Sequence, residues 1–263
     1  MSLKIKILVA THKPVSAIEN TIFQPIQVGT DLNPTTIKES YLVDNTGDSI
    51  SEKNKTFNEL TALYWAWKNF GDYDVFGLAH YRRFLDINYK VPFFKKEKKD
   101  IIKSVSISDA SFLKLNDEKK LAKKITKFLN NFDVLVAKPA FCTINQEFAS
   151  ISDDYKHNHI ASDWDTCMDV IIEKFPEYTN SIELYLNKSN RFYIANMFIA
   201  KKEWFISFSE WLFAILLEVE KRIVPSEDPY QRRVIGFLSE RLFTLYILHH
   251  QFKLKELPIL FVE

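Results

Sequence analysis

Two adjacent arginines, Arg82 and Arg83, follow a short apolar stretch and are well suited to bind an anion. They close residues 77–83 (GLAHYRR), which also contain His80 and Tyr81. If the apolar part is a buried strand, both guanidinium groups lie at its carboxyl end, where α/β proteins bind ligands. Guanidinium groups bind phosphate oxygens bidentately, so this run predicts a site for a phosphate-bearing ligand. The alternative is a surface pair in salt bridges with Asp72, Asp74 or Asp86.

The elements that would position these side chains alternate along the chain. Apolar, β-rich runs predict strands at 4–10, 23–29, 74–79, 133–137 and 191–200. Helical spacing of apolar residues predicts helices from 51 or 54 to 67, through most of 151–190, and over 202–222 and 230–250. Such alternation predicts an α/β fold with a mainly parallel central sheet flanked by helices and a helix-rich C-terminal half. Since no linker divides the sequence, we expect a single domain over 1–263, with halves at 1–140 and 141–263.

Composition limits the classes of function. The 263 residues are 46% hydrophobic and 26% charged, which is ordinary globular composition. Glycine is scarce, at 5 residues, and no GxGxxG or Walker-type run is present, which argues against Rossmann dinucleotide and P-loop sites. A net charge of +1 gives no bulk field for nucleic acid, so we expect no nucleic-acid partner.

Cysteine use and the first residues bear on the compartment. Cys142 and Cys167 have no metal-ligand spacing, and we expect them to be reduced. The opening MSLKIKILVATHK is neither a signal peptide nor a membrane span, so we expect a soluble cytoplasmic protein.

Lysines are concentrated in residues 89–127. The first half is predicted to be an inserted, mobile loop, and the second a basic helix with Leu121, Ile125, Phe128 and Leu129 on its apolar face. One hypothesis is peripheral contact of this segment with the anionic inner membrane. The alternative is a solvated lysine-rich surface, which is the commoner outcome for charge runs.

Several runs carry a resemblance to a known family. They are residues 7–13 (ILVATHK), 25–29 (PIQVG), 44–69 with SEKN and ELTALYWAWKN, 77–84 (GLAHYRRF), 196–199 (NMFI), 211–213 (WLF) and 236–242 (GFLSERL). The chain resembles GT-A type nucleotide-sugar glycosyltransferases, and more narrowly the bacterial capsule, O-antigen and exopolysaccharide glycosyltransferases with an HYRR motif. The resemblance implies transfer of a sugar from a nucleotide donor, such as a UDP-sugar, to a glycan or lipid-linked glycan. Some members are assigned as galactofuranosyltransferases that use UDP-galactofuranose.

The resemblance also implies donor-binding residues. Thr11, His12 and Lys13 would lie against the base, ribose and phosphate, although a polar surface turn is an equal alternative. Lys53 and Asn54 would touch the donor, unless Asn54 caps a helix. Asp44 would contact sugar or uridine, unless it only forms a turn. His80, Tyr81, Arg82 and Arg83 stand where most GT-A enzymes carry a metal-binding Asp-x-Asp motif.

Two adjacent guanidinium groups would repel a divalent cation. The sequence therefore favours metal-independent transfer, with no firm cofactor. The alternative is Mg²⁺ or Mn²⁺ held by His80 and Asp86. A third pattern, His157-x-His159 with Asp163, is not expected to bind metal, because residues i and i+2 do not share a helix face.

An inverting transfer needs a carboxylate to activate the acceptor hydroxyl. The candidates are Asp163, in a polar island beside Trp164, and Glu240, in an amphipathic helix with an ion pair to arginine as its alternative role. Trp164 would stack on a sugar ring, and Asn196, an amide within an apolar strand, would bind sugar hydroxyls or make a structural hydrogen bond.

We therefore expect an inverting glycosyltransferase. A retaining, metal-dependent GT-A transferase and a noncatalytic nucleotide- or glycan-binding protein stay open as alternatives.

Overall fold

The computed structural model describes residues 3–15, 18, 20–90 and 101–263. Its strands are β1 (Ile5–Thr11), β2 (Phe23–Gln27), β3 (Leu42–Val43), β4 (Val75–His80), β5 (Arg83–Leu85), β6 (Ile102–Val105), β7 (Val134–Ala137), β8 (Ala140–Phe141), β9 (Thr143–Ile144), β10 (Glu147–Phe148), β11 (Arg191–Phe192), β12 (Phe198–Lys201), β13 (Leu254–Leu257) and β14 (Ile259–Val262).

The α-helices are α1 (Asn54–Phe57), α2 (Leu60–Asn69), α3 (Ala110–Leu113), α4 (Glu118–Leu129), α5 (Ile151–Asn158), α6 (Ala161–Lys174), α7 (Thr179–Ser181), α8 (Lys202–Arg222) and α9 (Val234–His249). Short 3₁₀ turns occur at Ser51–Lys53, Lys114–Asn116, Pro176–Tyr178 and Gln231–Arg233, and a π-helix spans Ile182–Asn187.

The central sheet has the strand order β13-β7-β12-β4-β1-β2-β3. The pairs β4–β1, β1–β2, β2–β3 and β13–β7 are parallel, whereas β12 runs antiparallel to both of its neighbours. Beyond β4, the antiparallel β5 pairs with β14, which in turn pairs with β6. The predicted α/β class with a mostly parallel central sheet is confirmed.

Both faces of the sheet are covered, which explains why β1 is a continuous apolar run with every residue buried. On one face, α2, α6, α8 and α9 contribute side chains such as Leu63, Phe205 and Leu242 to a large aromatic core. On the other face, α3 and α4 contribute Phe112 and Leu121 to a second cluster. The sheet is therefore a rigid platform whose strand ends can hold side chains in fixed positions.

Several predicted elements have the expected bounds, and two are interrupted. Helix α8 spans Lys202–Arg222, as its apolar spacing predicts. The helix expected to continue to residue 67 is broken at Asn58, which has φ 52°. The strand predicted over 191–200 is likewise wrong in its middle, because Ala195 and Asn196 both adopt positive φ and separate β11 from β12.

The lysine-rich segment differs from the prediction. Of the expected loop, residues 91–100 lie outside the described residues, and β6 follows. Leu121, Ile125 and Leu129 of α4 are buried in the second core cluster. Docking of this apolar face on a membrane is therefore contradicted, because the face already packs against the sheet. Within the described ranges, no helix is long and apolar enough to cross a membrane.

Candidate active site

A cleft of about 440 Å³ opens at the carboxyl ends of β1 and β4. Because parallel neighbouring strands end at the same edge of the sheet, Ala10 at the end of β1 and His12 after it meet the residues at the end of β4. The full lining is Ala10, His12, Val28, Asn54, Asn58, Glu59, His80, Tyr81, Arg82, Arg83, Arg233 and Phe261. The structure thus brings together His12, Asn54 and the whole HYRR run, which the sequence predicted as donor contacts.

Three guanidinium groups line this cleft. Arg82 lies 5.3 Å from the Tyr81 ring centroid, and Arg83 lies 5.9 Å from that of Phe261 on β14. Both side chains are exposed, and neither forms a hydrogen bond or ion pair with another described residue. Arg233, which ends the 3₁₀ turn before α9, donates from Nε to Asn58 Oδ1 at 3.1 Å. The lining therefore presents concentrated positive charge with free N–H donors.

The predicted alternative, in which Arg82 and Arg83 form salt bridges, is not observed, because the three aspartates have other partners. Asp72 pairs with Lys4 Nζ at 2.7 Å, and Asp74 accepts from the Lys4 backbone N–H. Asp86 is buried and accepts from the Asn88 N–H, and burial raises the pKa of its carboxyl group.

Two histidines stand on the strand ends. His80 Nε2 lies 2.6 Å from the carbonyl oxygen of Ala195, which fixes its ring against the wall of the cleft. His12 packs its ring edge-to-face with Tyr81 at 5.1 Å. Burial lowers the pKa of His12, and the positive charges of Lys13 and Arg233 lower it further.

A strained turn, Ala195–Asn196, lies behind two residues of the lining, His80 and Glu59. Its φ angles are 72° and 49°, a region that residues with side chains rarely adopt. The Ala195 N–H donates to Glu240 Oε1 at 2.6 Å. Asn196 Nδ2 donates to Glu59 Oε1 at 2.9 Å and to Ser239 Oγ at 2.8 Å. Side chains from α9, β4 and the start of α2 therefore hold the turn in place.

Two carboxylates lie near this turn. Glu59, the residue before α2, lines the cleft, whereas Glu240 lies behind Ala195 and reaches Arg241 Nη1 at 3.5 Å. Burial raises the pKa of Glu240; Arg241 opposes this shift, and the negative charge of Glu59 adds to it. Of the two predicted catalytic carboxylates, Glu240 is thus adjacent to the cleft but already engaged.

The other predicted carboxylate, Asp163, and its neighbour Trp164 lie away from the cleft. Both are on α6, outside the cleft lining, and burial raises the pKa of Asp163. Trp164 is 2% exposed and packs against Tyr155 with ring centroids 5.1 Å apart. Its prediction as a sugar-stacking residue needs correction, because its indole faces are covered by the core.

Three of the predicted donor contacts, Asp44, Lys53 and Thr11, are held by the protein itself, and a fourth, Lys13, lies outside the cleft lining. Asp44 is fully buried and accepts hydrogen bonds from Gly29 N, Thr30 N, Ser51 Oγ and Thr61 Oγ1. Lys53 forms a salt bridge to Glu220 at 2.8 Å. Thr11 is buried and bonds the Lys13 backbone, and Lys13 is exposed on the turn, outside the cleft lining. Asp44 is a structural residue by this geometry, because its oxygens have no room for a ligand.

Asn54 was predicted either to touch the donor or to cap a helix, and the structure excludes the second role. Its Nδ2 donates to Asn58 O at 2.7 Å and to Thr61 Oγ1 at 3.1 Å, and it caps no helix N-terminus. Its side chain closes the break between α1 and α2 and lines the cleft.

The residues at the end of β4 do not fit a divalent cation. They supply two guanidinium groups and a histidine held at a carbonyl, whereas Mg²⁺ and Mn²⁺ prefer carboxylate oxygens. Within the described ranges, no group of three or more His, Cys, Asp or Glu side chains is arranged to hold a metal ion.

Sequence reasoning missed six residues of the lining: Ala10, Val28, Asn58, Glu59, Arg233 and Phe261. Asparagine is enriched at positive φ, so the NE pair inside a helical pattern was a usable sign of a break. Arg233 was visible as a second arginine pair, Arg232-Arg233, just before a helix. Nothing local in the sequence identifies Phe261, because only the sheet pairing of β14 places it beside Arg83.

Comparison with known proteins places the chain in a family. Residues 6–251 match the family described as Domain of unknown function (DUF4422), and the chain belongs to this family. It is also similar to the apo structure of the bifunctional glycosyltransferase WbbM, at 30% sequence identity and a TM-score of 0.85. That match covers 99% of this chain and 45% of the WbbM chain, so the chain spans less than half of WbbM. No curated protein matches the sequence.

Proposed function

We propose that this protein is a glycosyltransferase that uses a nucleotide-sugar donor in bacterial surface polysaccharide synthesis. The observation that carries the proposal is the convergence of Arg82, Arg83 and Arg233 on one cleft at the carboxyl edge of the sheet. Similarity to a bifunctional glycosyltransferase over nearly the whole chain supports the reaction class. The cleft volume also lies in the range of small-molecule sites.

The chemistry assigned to the guanidinium groups is stabilisation of the departing diphosphate. Negative charge develops on the diphosphate as the bond to the sugar breaks, and fixed cations stabilise that charge most strongly at the transition state. Arg82 and Arg83 have free donors for phosphate oxygens, and His12 and Tyr81 form the adjoining wall. We propose a UDP-sugar as donor, with UDP-galactofuranose as one candidate from the family resemblance, and inversion at the sugar carbon.

The acceptor is proposed to be a glycan or lipid-linked glycan that approaches past Arg233. The Arg233 guanidinium lies 5.3 Å from the Phe237 ring, and the Tyr230 ring lies 5.0 Å from the same ring. Tyr230 is 55% exposed, so an aromatic side chain is accessible to solvent near Arg233. This surface takes the sugar-stacking role that the sequence suggested for the buried Trp164.

The first experiment measures UDP binding by calorimetry and turnover of a panel of UDP-hexoses, each with Mg²⁺, Mn²⁺ or excess chelator. We expect turnover to survive chelator. Arg82→Ala and Arg83→Ala should each weaken UDP binding and turnover about 10- to 100-fold, the loss of one charge-assisted contact. Arg222→Ala is the matched control, because that arginine forms surface ion pairs with Glu173 and Glu218.

The other outcomes separate the alternatives. Turnover abolished by chelator, with both arginine variants near wild type, would establish a metal-dependent transferase instead. UDP binding without transfer or hydrolysis of any donor would indicate a noncatalytic nucleotide-binding protein.

A further inference from the structure

We infer that Glu59 is the catalytic carboxylate that accepts the proton of the attacking acceptor hydroxyl. This inference rests on the proposed glycosyltransferase function and deepens it. Glu59 lines the cleft together with Arg82, Arg83 and Arg233, so one cavity contains a base and the cations for the leaving group. Neither Glu240 nor Asp163 is part of that lining.

The break between α1 and α2 is what places Glu59 in the cleft. Asn58 adopts φ 52°, and its carbonyl accepts from Asn54 Nδ2, so the chain turns before α2 begins. Glu59 occupies the N-cap position of α2, yet its side chain makes no cap hydrogen bond. The carboxylate is thereby directed away from the helix end and towards the cleft.

The carboxylate has one oxygen held and one oxygen free. Oε1 accepts from Asn196 Nδ2 at 2.9 Å, and Oε2 forms no hydrogen bond with a described residue. The hydrogen bond to Oε1 fixes the orientation of the carboxylate, and Oε2 is left without a hydrogen bond. Such an oxygen is well suited to abstract a proton. Glu240 lacks this arrangement, because its Oε1 accepts from Ala195 N and its Oε2 faces Arg241.

Asn196 is a positioning residue for Glu59. It is 3% exposed, both of its amide hydrogens are used, and its Oδ1 is buried without a partner. A buried unpaired oxygen and two consecutive positive φ angles are costly, and such costs cluster at functional sites. Here they fix the amide that orients the Glu59 carboxylate.

The step balances in atoms and electrons. An acceptor hydroxyl oxygen forms a bond to the anomeric carbon of the donor, and its proton passes to Glu59 Oε2. The bond between the anomeric carbon and the diphosphate oxygen breaks, and its electron pair leaves with the diphosphate beside the arginines. Glu59 then releases the proton to solvent, and nothing is oxidised or reduced.

The test compares Glu59→Gln with wild type on UDP and on the UDP-hexose panel. Glutamine keeps the shape and can still accept from Asn196, but it is not a base. We expect UDP affinity within about twofold of wild type and kcat for donor turnover reduced about 10²- to 10⁴-fold. Glu52→Gln, an exposed glutamate in the 3₁₀ turn before α1, is the matched control and should behave as wild type.

The outcomes also separate this inference from the proposed function. If the wild-type protein turns over a donor and the kcat of Glu59→Gln lies within a few-fold of the wild-type value, the role of Glu59 is overturned and the proposed transferase function stands. Loss of UDP binding in Glu59→Gln would assign Glu59 to binding or folding and would equally overturn it. A wild-type protein that neither binds UDP nor turns over any donor would remove the proposed function itself. Asn196→Ala should lower kcat with little change in UDP affinity, and an unchanged kcat would contradict its positioning role.

Discussion

Among single residues, Asp44 shows how burial fixes a carboxylate. Its side chain is fully buried and accepts hydrogen bonds from four protein donors. It ties the turn after β2 to the start of α2 through Gly29 and Thr61. Arg82 is its opposite, an exposed charge without a described hydrogen-bonding partner. Both residues are charged, so residue type does not distinguish a structural charge from one that is free to bind a ligand. The number of hydrogen-bond partners that the protein supplies does distinguish them.

Replacing Asp44 with Asn should destabilise the fold without changing the ligand affinity of the folded molecules. The amide nitrogen would face two donors, so at least two buried N–H or O–H groups would lose their acceptor. We expect a loss of about 2–4 kcal/mol in the free energy of unfolding, measured by urea titration. Asp31→Asn, at an exposed residue that bonds Asn45, should cost less than about 0.5 kcal/mol. Equal stability of the two variants would refute this reading of Asp44.

Strands β4 and β12 approach each other closely at Gly77. A Cβ on Gly77 would lie 2.9 Å from the Phe198 carbonyl oxygen and 3.0 Å from Ile199 Cγ1. Because β12 begins two residues after Asn196, the separation of these strands also sets the position of the strained turn.

Gly77→Ala should therefore reduce both stability and turnover. The added methyl must push β12 away from β4, which we expect to cost about 1–3 kcal/mol, measured by urea unfolding. Turnover of the UDP-hexose panel should fall as well, because Ala195 and Asn196 move with β12. Gly71→Ala is the control, since a Cβ there meets nothing within 4 Å. If Gly77→Ala has the same free energy of unfolding as wild type, the two strands can separate enough to accept a methyl group without cost, and the prediction is wrong.

The sequence predicts an element well when its determinants are local. Helix α8 has its expected bounds because apolar residues recur at helical spacing along it, and β4 follows from a short apolar run. The turn at Ala195–Asn196 was not predictable, because its partners are remote in the chain. His80 and Glu240 hold the turn from 115 and 45 residues away.

Site residues were likewise predictable from the sequence only where their positions depend on local structure. The HYRR run was identified because it directly follows a strand whose end must meet the sheet edge. Trp164 and Asp163 were chosen from local composition, and the packing of α6 buries both. Glu59 was overlooked because it lies inside a helical pattern, and only the break before α2 turns it into the cleft.

Partly buried histidines make the stability of the whole molecule depend on pH. His159 stacks on Phe237 at 4.1 Å, and its Nδ1 lies 3.2 Å from Gln231 Oε1. Burial lowers the pKa of His159 from 6.5, and Arg241 lowers it further. As the pH falls through that ordinary value, the unfolded chain takes up the proton before the folded one does, so folding is penalised.

We therefore expect the free energy of unfolding to fall between pH 7 and pH 5, and His159→Asn to reduce that fall. His249 and His250, whose pKa values are also lowered by burial, should preserve part of the dependence in the variant. Urea titrations at several pH values measure both slopes. A variant with the same slope as wild type would show that His159 is not a source of the acid sensitivity.

The cleft joins parts of the chain that are made at very different times. Ala10 and His12 precede nearly all of the protein, whereas Phe261, beneath Arg83, belongs to the last strand of the sheet. During synthesis on the ribosome, Arg82, Arg83 and Glu59 are made long before β14. A nascent chain therefore holds Arg82, Arg83 and Glu59 before it holds the strand that pairs with Arg83.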